Sequence, residues 1–393
     1  MILNKDIVIF GGGIAGLWLL DRLRSAGYQA VLLEQTALGH GQSIASQGMI
    51  HGGMKYALAG ALTGATEAIA DMPRQWRLCL EGKGEVDLRG TRLLSDAYYM
   101  WPRNSLRSRF SAFLGSKAVR GRVDSVDEAD YPAFFRGNIN GPLYRLQDIV
   151  LDVPSLLQTL ATRNREWIYQ IDWSRCQIES AAAGGIKALQ LQNGQQLQAQ
   201  RFICTSGEGA EFFLQRLQPA NVAMQRRPLQ MVVVKHQLRE PLYVHCVSDQ
   251  LTATPELTIT THPCQDGSTA WYLGGELAES GVQRSVDQQL QHARLMLASM
   301  FPWCDFSKAS FHSFPINRAE ARQPDGKRPD QSSLLVGANL LYCWPTKLTL
   351  APNLATSVLE QLRAQSVLPT AGTNVPLDGL SCPPVATTPW DAC

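Results

Sequence analysis

One segment constrains this chain more than any other: Asp6-Ile7-Val8-Ile9-Phe10 running straight into Gly11-Gly12-Gly13-Ile14-Ala15-Gly16. The apolar, β-branched run suits a parallel strand buried on both faces. Behind the glycines, Leu17, Leu20 and Leu23 recur at helical spacing over residues 14–26, and Gly27 sits where a helix-ending glycine belongs. Ala30-Val31-Leu32-Leu33 then reads as a second buried strand that stops at Glu34. Each glycine has its own reason. Gly11 permits the sharp turn, Gly13 lets backbone approach a pyrophosphate, and Gly16 lets the helix pack close to the sheet. At Ile14 and Ala15 the helix start offers N–H groups and a partial positive charge to a diphosphate. Glu34 lies 18 residues past Gly16, with Gln35 beside it. Its carboxylate is placed to accept from both ribose hydroxyls and to repel a 2′-phosphate. The expected ligand is an adenine dinucleotide, and this turn alone leaves NAD and FAD both open.

The next stretch narrows the choice. Residues 39–56 read GHGQSIASQGMIHGGMKY, a crowd of small and hydroxyl side chains directly after the ribose-binding strand. A loop of this kind suits a ligand that continues past its diphosphate, as a flavin's ribityl chain does. Gln42, Ser43, Ser46 and Gln47, with Gly48 and Met49 following, are the expected contacts. FAD is therefore the expected cofactor.

The run Ser46-Gln47-Gly48-Met49-Ile50-His51-Gly52-Gly53-Met54-Lys55-Tyr56 resembles a segment of FAD-dependent glycerol-3-phosphate dehydrogenases. It is also similar to the corresponding segment of L-2-hydroxyglutarate oxidases. Both belong to the D-amino-acid-oxidase-like superfamily. The resemblance implies an α/β, Rossmann-like FAD-binding domain interleaved with an antiparallel-sheet substrate domain. Later blocks agree in order. Asp152-Val153-Pro154 before Leu156–Leu160 resembles a family helix entry, with Asp152 as N-cap. An Asn193-Gly194 turn makes a hairpin, and strand 201–204 leads into Thr205-Ser206-Gly207, similar to the strand that closes the FAD domain. Leu334–Gly337 and Lys347-Leu348-Thr349 resemble the last strand and the start of the final helix, which points its N-terminus at the flavin. Two departures stand out. Cys343-Trp344-Pro345-Thr346 replaces the family's glycine-rich turn, and no Gly-Asp pair lies near the C-terminus, unlike in disulfide reductases and aromatic hydroxylases.

What the resemblance implies chemically is hydride transfer from a substrate C–H to flavin N5. Its nearest branch implies a small hydroxy acid or polyol phosphate as substrate, with His51 as the base for the hydroxyl proton. An anionic substrate group would be held by Arg318 or Arg322, which precede an Asp325-Gly326 segment similar to the family's; Arg226, Arg227 and Lys347 are further candidates. Lys55 and Tyr56 follow the histidine and are expected to line the pocket. The six other histidines are read as packed or solvent-facing. Two alternatives stand beside this reading: an FAD-dependent amine or amino-acid oxidase, and an FAD-binding protein without turnover. The electron acceptor, whether oxygen, a quinone or a protein, is left open.

At 393 residues the length suits two domains. Residues 1–80, 145–215 and 330–365 are expected to build the FAD-binding domain and 81–144 and 216–329 the substrate domain, with a tail over 366–393. That tail, rich in Pro, Gly and Thr, reads as a tail over the surface or a disordered end. With 36 basic and 34 acidic residues and no basic cluster, nucleic acid is not an expected partner. Nine cysteines without a CxxC argue against a zinc site or a disulfide framework, so no metal is expected. No apolar run long enough to span a bilayer is present, and the expected location is cytoplasmic.

Overall fold

The computed structural model describes residues 2–53, 69–102, 123–139, 141–182, 184–247, 254–372 and 375–393. Strand Ile2–Phe10 lies at the heart of an eight-stranded sheet, flanked in parallel by Ala30–Glu34 on one side and Gln196–Cys204 on the other. Ile168–Gln170 extends it beyond Ala30–Glu34, again in parallel. The strand's alternation decides what covers each face. Ile7 and Ile9 point into a core shared with helices Ile14–Ser25, Val153–Arg163 and Ala351–Ala364, while Val8 and Phe10 point to the opposite side with Phe202, Phe213 and Trp344. Both faces are covered, as the continuous apolar run requires.

Local signals bound the helices where the sequence places them. Gly27 takes φ +90° after Ile14–Ser25, and the Asp152 carboxylate accepts the Ser155 N–H at 3.1 Å to cap Val153–Arg163. The Asn193-Gly194 turn joins Ile186–Gln190 to Gln196–Cys204 in an antiparallel hairpin. Strand Leu340–Trp344 was not anticipated. It pairs in parallel with Gln196–Cys204, and antiparallel with Ser333–Gly337. The residues read as a departure from a glycine-rich turn are thus partly the end of a buried strand.

The second eight-stranded sheet is built on two long neighbours, Met224–His236 and Ser310–Ala321, paired antiparallel from Met224↔Ala321 to Lys235↔Ser310. Thr269–Gly274, Leu257–Pro263, Val244–Val247, Tyr98–Pro102, Leu143–Leu146 and Val123–Val126 follow in that order. Val232 and Val234 face helix Val286–Met300, whose start carries a capping box between Ser285 and Gln288. Met231 and Val233 face the other way, with Tyr272 and Trp390. A third, small sheet joins Met49–Ile50 and Leu93–Ser95 to either side of Ile149–Leu151.

The C-terminal tail is not a loose end. Val367, Leu377 and Trp390 are buried, the first two in the cores on opposite faces of the first sheet and Trp390 against the second. Among the described residues, no helix is long and apolar enough to cross a membrane.

Candidate functional site

At the carboxyl ends of Ile2–Phe10, Ala30–Glu34 and Gln196–Cys204, a cavity of about 560 Å³ opens between the two large sheets. This is the crevice where open α/β sheets take their ligands, and the volume is that of a cofactor-sized pocket. Gly11, Gly13, Ile14 and Ala15 line it. Gly11 turns at φ +103°, where a Cβ would meet the Ser206 backbone at 2.5 Å. At Gly13 a Cβ would meet only a side-chain atom, Ser43 Oγ at 3.0 Å, and no backbone. Gly16 lies outside the lining and serves packing instead: a Cβ there would stand 2.0 Å from the Gly11 carbonyl oxygen.

Glu34 and Gln35 also line the cavity. The Glu34 carboxylate accepts the Gly12 N–H at 2.7 Å and the Thr36 N–H at 2.8 Å, fixing its orientation while leaving lone pairs toward the cavity. Beyond it stands an aromatic wall that no local motif announces. Half-buried Trp173 packs against Phe212 with ring centroids 5.2 Å apart, and Phe213 packs behind both. Trp173 follows the strand Ile168–Gln170, so strand order was the signal for it, and that order is not visible in the sequence.

Gln42, Ser43, Ser46 and Gln47 reach the lining from the small-residue loop. Ser43 Oγ accepts the Ile14 N–H at 3.0 Å, so its own hydrogen is available to a ligand oxygen. Ser46 Oγ is buried with no partner among the described residues. A buried hydroxyl left unpaired is costly unless something occupies the site. The two glutamines also make contacts that the sequence did not announce. Gln42 Oε1 accepts the Ala319 N–H at 3.1 Å, and Gln47 Nε2 donates to the Tyr272 carbonyl at 2.9 Å, so both tie the loop to the second sheet.

Thr205, Ser206, Gly207, Lys347 and Leu348 complete the rim with Pro345 and Thr346. Thr346 takes φ +64°, a left-handed conformation that costs a β-branched residue strain. Its hydroxyl donates to the Gln331 carbonyl at 2.9 Å, which offsets part of that cost. Two thiols here stay protonated: burial raises Cys204 to about 11 and Cys343 well above its ordinary value.

Arg318 enters from the second sheet, beside Leu229, Met231 and Ile316. Glu279 approaches its guanidinium at 3.4 and 3.5 Å, while Nε has no partner among the described residues. Burial first, then the nearby Arg227, lowers its proton affinity, yet a guanidinium stays charged. Arg227 itself is committed to buried Glu320 by two bonds of 2.7 Å, and Arg226 to Glu208 and Glu211 on the surface.

Several expected site residues lie elsewhere. Arg322 is exposed and outside the lining, because the strand ends at Ala321 and the chain turns away. His51 is buried but not on the wall; its N–H donates to Thr349 Oγ1 at 3.2 Å. Thr349 in turn is fully buried and donates to the Met49 carbonyl at 3.4 Å, so it and Met49 hold this strand in place rather than facing the cavity. Gly48 stands apart for a similar reason: a Cβ there would press on the Leu151 carbonyl oxygen at 2.1 Å. His40, in contrast, does line the cavity at its exposed nucleotide end. Lys55 and Tyr56 lie outside the described residues.

Comparison with known proteins agrees with this geometry. Residues 6–319 match the family described as FAD dependent oxidoreductase. The chain is 45% identical, over 99% of its length and 98% of the relative's, to the probable FAD-dependent oxidoreductase PA4991 of Pseudomonas aeruginosa. The crystal structure of that relative superposes with a TM-score of 0.85 at 40% identity, over 100% of this chain and 99% of the other. Glycine oxidase of Geobacillus kaustophilus gives 0.64 at 15% identity over 94% and 96% of the two chains. The α-glycerophosphate oxidase of Mycoplasma pneumoniae gives the same 0.64 at 14% over 92% and 95%. The likeness therefore does not single out the glycerol-phosphate and hydroxyglutarate branch suggested by the Ser46–Tyr56 run. The family match and the end-to-end relative together place the chain in the FAD dependent oxidoreductase family, as an enzyme that works with FAD.

Proposed function

We propose that the protein oxidises an amine-bearing carboxylate, an amino acid or an N-substituted one, and that the cavity between the sheets takes both FAD and substrate. Bound FAD supplies a two-electron acceptor for the hydride leaving the substrate C–H. The residues of the chain do the rest. The glycine turn and Glu34 would hold the diphosphate and ribose, and Ser43 and Ser46 the oxygens beyond them. Arg318 would hold the substrate carboxylate, over an apolar floor of Leu229, Met231 and Ile316.

The observation that carries the choice of amine over alcohol is the position of the candidate base. An alcohol needs a base on the wall to take its hydroxyl proton as hydride departs. Among the described residues His51 is off the wall, and the lining carboxylates are Glu34, at the nucleotide end with two N–H groups, and Glu208, paired with Arg226 at 3.0 Å. His40 belongs to the loop at the nucleotide end. A neutral amine already carries the lone pair that drives hydride loss. Other structures with this fold are an L-amino acid deaminase and an L-proline dehydrogenase, named for substrates of this kind. The test is product analysis: turnover of an amino-acid panel should release 2-oxo acid, and ammonia where the amine is primary, with an artificial acceptor present. Turnover of the matching 2-hydroxy acids in preference would overturn the reading.

A further inference from the structure

The C-terminal tail reaches the cavity loop from two sides. Leu38 donates its N–H to the Pro384 carbonyl at 2.8 Å and accepts the Ala386 N–H at 2.9 Å, forming an isolated bridge with Val385. Leu38 itself packs against the glycine turn: a Cβ at Gly12 would meet its side chain at 2.6 Å, and the Gly39 N–H donates to the Gly12 carbonyl at 2.8 Å. Four residues past Ala386, Trp390 enters the cavity-facing side of the second sheet. Its indole lies on His262 with ring centroids 3.9 Å apart and planes 19° from parallel, and meets Tyr272 edge-on at 5.6 Å. Those two side chains hold the far end of the same loop. Tyr272 donates its hydroxyl to the Ala45 carbonyl at 2.8 Å, and its own carbonyl accepts from Gln47. His262 Nε2 meets Thr260 Oγ1 at 2.9 Å, against which the Gln47 amide also rests at 3.5 Å.

We infer that residues 384–390 are a positioning element for FAD: the segment fixes both ends of the loop 38–47, and Trp390 is its anchor. Loop residues 41–43 and 45–47 line the cavity, so freeing either end would cost ordering entropy at the moment of cofactor binding. The tail's earlier contacts are of another kind. Thr370 bonds Asp6 at 2.8 Å and Leu377 bonds the Tyr169 hydroxyl at 3.0 Å, on the first sheet and away from the loop. This inference rests on the reading that the loop contacts FAD, and the experiment separates the two.

The measurement is the FAD dissociation constant of the full-length apoprotein, by quenching of flavin fluorescence, with the flavin visible circular dichroism of each holoprotein. Trp390→Ala is expected to weaken FAD about tenfold, the scale of one lost aromatic contact, with Trp390→Phe restoring most of it. Tyr272→Phe, which removes only the bond to Ala45, is expected to weaken FAD in the same direction and guards against a Trp390→Ala protein that does not fold. Thr370→Ala is expected to lower the melting temperature and leave FAD affinity unchanged. Equal loss of affinity in Thr370→Ala and Trp390→Ala would overturn the inference, leaving the tail a general support. So would unchanged affinity in both Trp390→Ala and Tyr272→Phe while Ser46→Ala and Glu34→Ala weaken FAD; the cofactor-site reading would then survive. If Ser46→Ala and Glu34→Ala leave affinity unchanged, the site reading itself fails and the inference falls with it.

Discussion

Glu279 stands 3.4 Å from the guanidinium of Arg318, close enough to orient it and too far to saturate it. Arg318 is four-fifths enclosed at its side chain, with the cavity on one side and the committed pair Arg227–Glu320 on the other. A substrate carboxylate would complete its bonding. Arg318→Met should therefore raise KM for a carboxylate substrate by roughly 10- to 100-fold, the worth of one charge-assisted hydrogen-bonded pair. FAD affinity, read by flavin fluorescence, should stay as it is. Loss of FAD with unchanged KM would move Arg318 from the substrate to the cofactor.

The two glycines of the turn should respond differently to the same substitution. Gly16→Ala drives a methyl into the Gly11 carbonyl oxygen at 2.0 Å and should abolish FAD binding or folding, seen as a colourless protein. Gly13→Ala meets only the Ser43 hydroxyl at 3.0 Å and should fold with near-native melting temperature, its FAD affinity reduced because the methyl occupies the diphosphate's approach. Equal behaviour of the two variants would contradict the division of labour described for the turn.

What is legible in the sequence follows from the range of the forces involved. The strand, glycine turn, helix and Glu34 were legible because their reasons lie within thirty residues of one another. The strand starts at 201–204 and 30–34 were legible for the same cause, since apolar runs and turn residues are local. Trp173 was not, because its place at the cavity comes from a strand pairing with Ala30–Glu34 across more than a hundred residues. The ties of Gln42 and Gln47 were not legible for a related reason: their partners Ala319 and Tyr272 belong to the other sheet. His51 sits in a motif similar to a known branch, and its backbone N–H is held by Thr349, 298 residues away along the chain. By composition the tail read as lying over the surface or as a disordered end, and no local pattern announces the burial of Trp390.

His51→Asn should leave the rate of anaerobic flavin reduction within a few-fold of the parent, given that the wall lacks this side chain. Stopped-flow absorbance at the flavin band checks it. A drop of a hundredfold or more would return His51 to the role of base.

Acid should loosen the second sheet first. Burial lowers His236 to about 4 and His262 to about 3 from an ordinary 6.5. The unfolded chain therefore binds more protons than the folded one below pH 6.5, so the stability of the neutral forms is complete above that pH. It is lost progressively as pH falls toward 4 and then 3. Melting temperatures from pH 8 to pH 4 should decline below about 6.5, with His262→Phe flattening part of the slope. A flat profile across that window would contradict the burial of these two rings.

The central claim is that Arg318 would hold an amine-bearing carboxylate in the cavity for oxidation with FAD as the electron acceptor. The most direct test is anaerobic titration of the FAD-loaded protein with matched pairs, each 2-amino acid against its 2-hydroxy counterpart, followed by flavin absorbance. The account predicts bleaching of the flavin by one or more of the amines, faster as rising pH frees the amine lone pair, and no bleaching by the hydroxy partners. Bleaching by the hydroxy acid of a pair whose amine leaves the flavin oxidised would contradict it.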